Sequence, residues 1–112
     1  MDKNNDYQSE ELKEMIQIFT GLDSKFKYVR THLKFSSEGY DETLDAYRKD
    51  IDHIHQALKN LSVIDSYIIT ETFHHDGKVS NSWWKGLYKK STFYRMRSRA
   101  INAFLKEYHQ IC

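Results

Sequence analysis

Residues 9 to 35 read SEELKEMIQIFTGLDSKFKYVRTHLKF, and the spacing of their apolar side chains decides the fold. Leu12, Met15, Phe19, Leu22, Phe26, Val29 and Leu33 follow one another in alternating steps of 3 and 4. That is the heptad seam of an α-helix, not the every-second-residue alternation of a strand. Ser9 is placed as an N-cap, with Glu10 and Glu11 next to the positive end of the helix dipole. The seam passes Gly21 in phase, so one helix is predicted over roughly 9–35, weakened at Thr20-Gly21.

The same steps recur downstream. After a polar loop, Ser36-Ser37-Glu38-Gly39, and a cap at Asp41, the apolar residues are Leu44, Tyr47, Ile51, Ile54, Leu58 and Leu61. Two heptad helices joined by so short a loop predict an antiparallel αα-hairpin. Ser62 is expected to cap a third helix with Ile64, Tyr67, Ile68 and Phe73 inward, ended by His74-His75-Asp76-Gly77-Lys78. A short helix capped by Ser80 or Ser82 should hold Trp83, Trp84, Leu87 and Tyr88. Lys89-Lys90 should turn the chain, and Ser91 should cap a final helix over about 92–110. The chain has no proline and only 4 glycines, which favours long helices. The expectation is an all-α fold of about five helices, one domain over 1–112, with a helical hairpin at 9–61 and a helix-turn-helix at 62–110.

With Phe93 as zero and about 100° per residue, Met96, Ala100, Phe104 and Ile111 cluster around Phe93, and Ile101 and Tyr108 widen the stripe. Phe93, Met96, Ala100 and Phe104 are therefore expected to be buried with Trp84 and Leu87. Arg97 falls about 40° from Phe93, so its stem should lie over the core with its head at the rim. The opposite side carries Ser91, Arg95, Ser98, Arg99, Asn102 and Lys106, all capable of hydrogen bonding.

That helix lies in the most polarised part of the chain. Residues 77–106 contain Lys78, Lys85, Lys89, Lys90, Arg95, Arg97, Arg99 and Lys106 and no Asp or Glu, although the whole chain carries only +1. Charge sorted this sharply in a near-neutral protein suits a polyanionic partner. The interleaved Trp83, Trp84, Tyr88, Phe93, Tyr94 and Phe104 mark the window as folded and not as a basic tail. An α-helix fits the major groove, where Arg reads guanine edges, and the free amides at Ser91 and Thr92 suit a phosphate.

The stretch Lys90-Ser91-Thr92-Phe93-Tyr94-Arg95-Met96-Arg97-Ser98-Arg99-Ala100-Ile101 resembles the recognition helix of the sigma-70 region 4-like helix-turn-helix group. It is especially similar to the small ArpU and RinA type regulators of low-GC phages. The shared pattern is a Ser-Thr start, then an aromatic and an Arg, then an Ala seven or eight residues on. Upstream, Ala57-Leu58 and Leu61 followed by Ile68-Ile69 resemble the segment before the motif, so the likeness covers about 57–107. It implies a DNA-binding transcription regulator with Ser91, Thr92, Tyr94, Arg95 and Arg99 facing DNA. The preceding helix departs from the pattern: Trp83-Trp84-Lys85-Gly86-Leu87-Tyr88 is shorter and more aromatic than the usual one. A second likeness, to short mollicute proteins of unassigned function with a Trp-rich turn before such a helix, implies a fold and no activity.

Other chemistries find little footing. His53 and His55 stand two apart, on different faces of a helix, and His74-His75-Asp76 has no cysteine near it, so no metal site is expected. Asp41, Glu42, Asp45, Asp50 and Asp52 read as the solvated face of the second helix. There is no nucleophile elbow, P-loop or HExxH motif, so neither an enzyme nor a cofactor is expected. The one cysteine, Cys112, suits a reducing cytoplasm. It does not stand where a C-terminal prenylation box would put it. The opening MDKNNDYQSEEL is polar and acidic, unlike a signal peptide, and no apolar run has membrane-spanning length. Abundant Lys, Asn, Ile and Tyr suggest an AT-rich genome, bacterial or phage.

Two function classes follow. The first is a sequence-specific duplex DNA-binding transcription regulator. Its heptad hairpin pairs it into a homodimer or recruits RNA polymerase. Its DNA contacts are Lys85, Lys89, Lys90, Ser91, Thr92, Tyr94, Arg95, Ser98, Arg99, Asn102 and Lys106. The second is a non-catalytic adaptor that binds protein or RNA through the same basic face.

Overall fold

A computed structural model of the chain describes residues 9–35, 42–74, 78–80 and 82–111. The expected loop at 36–39, the cap at Asp41, the Gly77 turn and the side chains of Leu33 and Ile111 lie outside the described residues. The fold is all-α. Its helices are α1 (Glu10–Phe19), α2 (Leu22–Phe35), α3 (Glu42–Lys59), α4 (Val63–Thr72) and α5 (Lys90–Ile111). Among the described residues the one extended pairing is an isolated antiparallel bridge between Phe73 and Val79.

The long first helix is in fact two. Ser9 caps α1 as expected, its Oγ accepting from the Leu12 amide at 3.1 Å. Thr20 then turns extended at ψ 129°, its amide closing the last turn on the Ile16 carbonyl. Gly21 takes φ +83°, a left-handed value that glycine adopts without a Cβ penalty. The seam survives the break. Leu12, Met15, Phe19 and Leu22 are buried, and Phe26 and Val29 pack against them half-buried. Lys25 pairs with Asp50 at 2.8 Å and the Tyr28 and Tyr47 rings meet edge-on at 5.1 Å, so α2 and α3 run antiparallel as a hairpin.

α5 is the floor of the bundle, packed against α1, α3 and α4. Phe19 of α1 sits between Phe73 and Phe104, with ring centroids 5.8 and 5.7 Å away. Trp84 stacks on Phe93 at 4.9 Å, and Trp83 meets the same ring edge-on at 5.4 Å. The Trp83 indole donates to the hydroxyl of the fully buried Thr72 at 3.1 Å, satisfying both groups.

Three further expectations need correction. The first concerns the Trp segment, which is a run of turns and not a helix. Leu87 and Tyr88 amides both donate to the Trp84 carbonyl, at 2.8 and 3.1 Å. Trp84 alone fills the slot on Phe93, and Leu87 swings out to 64% exposure. Because the segment is not a helix, Ser80 and Ser82 cap nothing there. The final helix opens at Lys90, ahead of Ser91, with the Phe93 amide donating to the Lys89 carbonyl.

The second concerns α4, where Ile64 and Tyr67 are exposed and the inward residues are Ile68, Ile69 and Thr72. Apolar side chains ring this helix, so periodicity could not choose its buried face.

The third concerns α5, whose buried arc is Phe93, Arg97, Ala100, Ile101, Phe104 and Leu105. It is centred about 40° round from Phe93, on Arg97 itself. Met96 is consequently only half-buried, and Leu105 is a core residue.

Phe104→Ala is expected to cost about 3–5 kcal/mol in chemical denaturation, and Met96→Ala about 1 kcal/mol. The reverse order would place the buried arc on the other side of Phe93.

Candidate nucleic-acid interface

Once the buried arc of α5 is subtracted, one stripe remains. Ser91, Arg95, Ser98, Arg99, Asn102 and Lys106 are all exposed and follow each other at helical spacing. Over about 22 Å of helix they form a ridge of hydrogen-bonding side chains. No acid lies in the first turn of α5, and the acid-free run extends from Lys90 to Lys106. The free amides at the start of α5 therefore lie beside Lys89 and Lys90, both exposed, an arrangement suited to an anion. Lys85 is exposed on the Trp turn.

Two of the expected contact residues stand apart from the ridge. Tyr94 is half-buried about 100° from the ridge centre, its ring packing on Trp84 at 6.0 Å and on Phe93 at 5.5 Å. Thr92 is half-buried at the ridge's edge.

Arg97 does not reach the rim. It is 4% exposed, and its guanidinium lies over the Tyr94 ring at 4.7 Å. A cation over an aromatic face recovers part of the desolvation cost of burying it. Arg97 is thus a core residue, and the ridge carries two of the three clustered arginines.

One partner on this surface was invisible in the sequence. Asp65, the third residue of α4, lies 3.6 Å from Arg99 Nε through Oδ1. Ser62 caps the same turn, its Oγ accepting from the Asp65 amide at 3.2 Å. Asp65 thus stands in the first turn of α4, near the positive end of its dipole, and its carboxylate approaches Arg99. Its side chain is 13% exposed, while that of Arg99 is 64% exposed. At the far end of α5, His109 meets Glu14 at 2.6 Å and Glu107 accepts from Asn60 at 3.1 Å. These contacts put acid at the foot of the ridge and leave its upper part basic.

Among the described residues, no three His, Cys, Asp or Glu side chains come together as a metal ion would need. No helix among them is long and apolar enough to cross a membrane. No protein-family model, curated protein or solved structure matches the chain.

Asp65→Asn removes the carboxylate that lies against Arg99. Duplex DNA affinity, read by fluorescence anisotropy at low salt, is expected to rise about two- to fivefold. Stability should fall by no more than about 1 kcal/mol. An unchanged or weaker affinity would mean that Arg99 is not part of the binding surface.

Proposed function

We propose that the chain is a non-catalytic, sequence-specific duplex DNA-binding transcription regulator that lays the outward ridge of α5 in the major groove. The observation that carries the reading is the sorting of α5: Arg95, Arg99 and Lys106 share one exposed ridge with Ser91, Ser98 and Asn102, without an acid among them. Arg95 and Arg99, one turn apart, are the base readers, because a guanidinium can grip a guanine edge with two hydrogen bonds. Ser98 and Asn102 flank them. Lys85, Lys89, Lys90 and Lys106 hold phosphates, with the amides at Ser91 and Thr92 completing the anchor. Tyr94 acts through the Trp84 stack that sets the helix start.

The hairpin supplies assembly. Phe26, Val29, Leu44 and Tyr47 are half-buried on α2 and α3, and a second copy packing there would close a four-helix bundle and pair two ridges for a two-fold DNA site. RNA polymerase is the protein partner that the family resemblance adds.

A second reading has one observation in its favour. The residues ahead of α5 form turns, so among the described residues the leading helix of a helix-turn-helix is missing. An adaptor binding RNA or an acidic protein through the same ridge has no need of that helix.

Binding should weaken with salt at a slope of log K against log salt near −4 to −5, for about five neutralised phosphates. Arg95→Ala should cost about 1–3 kcal/mol and relax preference at one or two base positions. Lys89→Ala should instead weaken all duplexes alike and flatten the slope by about one unit. Duplex affinity indifferent to the double change Arg95→Ala, Arg99→Ala would rule out a recognition helix and favour the adaptor.

A further inference from the structure

The exposed large apolar side chains among the described residues are Val63 (88%), Ile64 (37%), Tyr67 (47%) and Leu87 (64%). Three are on α4. The fourth is on the Trp turn, whose Trp83 ring meets Tyr67 edge-on at 5.4 Å. Around α4, Val63, Ser66, Tyr67 and Thr70 occupy the arc opposite the buried Ile68, Ile69 and Thr72. No charged residue falls on that arc, in a chain that is 29% charged. Outward helix faces normally carry the charge, so a neutral outward face with large apolar groups marks an interaction surface. A cleft of about 470 Å³ opens beside it, lined by Leu58, Leu61, Val63 and Tyr67, and its one charged lining residue among those described is Lys59. Lys59 sets a cation at the cleft, so the surface is an apolar ridge and cleft with a positive charge beside it.

We propose that this face of α4 docks an amphipathic α-helix of another protein, with apolar anchors against Val63, Tyr67 and the cleft and a carboxylate towards Lys59. Val63 and Tyr67 stand one turn apart, which matches the i, i+4, i+7 anchors that a helix presents when it lies in a groove. Charge selects this occupant. Pairing two copies of this face would bring two Lys59 side chains into one interface, with no acid on the described cleft lining to answer either. Duplex DNA offers its backbone charge but no apolar side chain to cover Val63 and Tyr67. The face lies on α4, away from the α5 ridge, so the inference does not rest on the DNA-binding reading.

The test is selection, on the full chain, from a displayed library of amphipathic helical peptides varied at both apolar and charged positions. Enriched sequences should carry apolar residues at i, i+4 and i+7 with Asp or Glu beside them. Val63→Lys and Tyr67→Lys should each weaken the selected peptides at least about tenfold. Both sites are exposed, so melting temperatures should stay within about 2 °C of the original. Lys59→Glu should turn the selection from acidic towards basic peptides. The proposal is overturned by no enrichment, by enrichment without an acidic bias, or by binding that survives both substitutions. Two further results would overturn it by naming another occupant. One is a concentration-dependent dimer in sedimentation that Tyr67→Lys abolishes. The other is binding to phosphatidylserine vesicles, but not to phosphatidylcholine vesicles, that the same change abolishes.

Discussion

α5 has to serve as the floor for three other helices, and that constraint orders the molecule. Phe93, Ala100 and Phe104 expose nothing, and neighbours close on the arc they define: Phe19 of α1 on Phe104, the two tryptophans around Phe93, His53 of α3 edge-on to Tyr108. A helix has a single circumference to divide. When nearly half of it is core, the polar groups of the same segment are pressed into the remaining stripe. Arg95 and Arg99 thereby become neighbours at i, i+4, a like-charge spacing that costs about 0.2–0.5 kcal/mol on an open helix. Asp65 offsets that repulsion where it approaches Arg99. A surface that concentrates cations at such a cost is the kind an anionic partner would relieve.

The run Arg95-Met96-Arg97-Ser98-Arg99 shows how strongly the backbone decides what a sequence means. In a strand the three arginines would share one face, because side chains two apart align. In a helix Arg97 points about 200° away from both Arg95 and its own successor two places on. Here that direction is the middle of the core. Arg97 is retained there over the Tyr94 ring, and Tyr94 is in turn packed on Trp84 and Phe93. One of the eight cations in the basic window thus belongs to the packing of the helix start, and the surface field comes from the other seven.

What could be read in advance follows from which physical signals are local. The inward faces from Leu12 to Val29 and around Ile51 and Ile54 were legible because 3, 4 spacing specifies which side of a helix is buried, although it set no helix end at Thr20. The Ser9 and Ser62 caps were legible because an N-cap is a contact across three residues. The polar ridge of α5 was legible as a wheel pattern, since its six members needed only the helix phase.

Other features lacked such a signal. α4 is apolar on both sides, so its core face depends on which neighbour arrives. The Trp segment has helical composition but ends in turns, because Trp84 is held by its stack on Phe93. Arg97 is charged, so the apolar pattern of α5 carries no sign that the buried arc is centred on it and not on Phe93. The Asp65–Arg99 contact joins residues on separate helices, which no spacing within either helix encodes.

Asp65 links α4 to the basic ridge. It is the third residue of α4, on the side turned towards α5, and it lies 3.6 Å from Arg99 of the ridge. Its energetic weight is small: Arg99 is largely solvated, and an ion pair with a solvated partner is worth at most about 1 kcal/mol. Asp65 sits in the first turn of α4, where the Ser62 cap holds its backbone amide, and its carboxylate lies opposite Arg99. An anionic ligand that takes Arg99 must displace this weak, screened contact, so the carboxylate competes with such a partner for the guanidinium. The pair is therefore better understood as tempering the ridge's positive charge than as holding α4 and α5 together, a task that Ile68, Ile69, Thr72 and Phe93 already perform by burial.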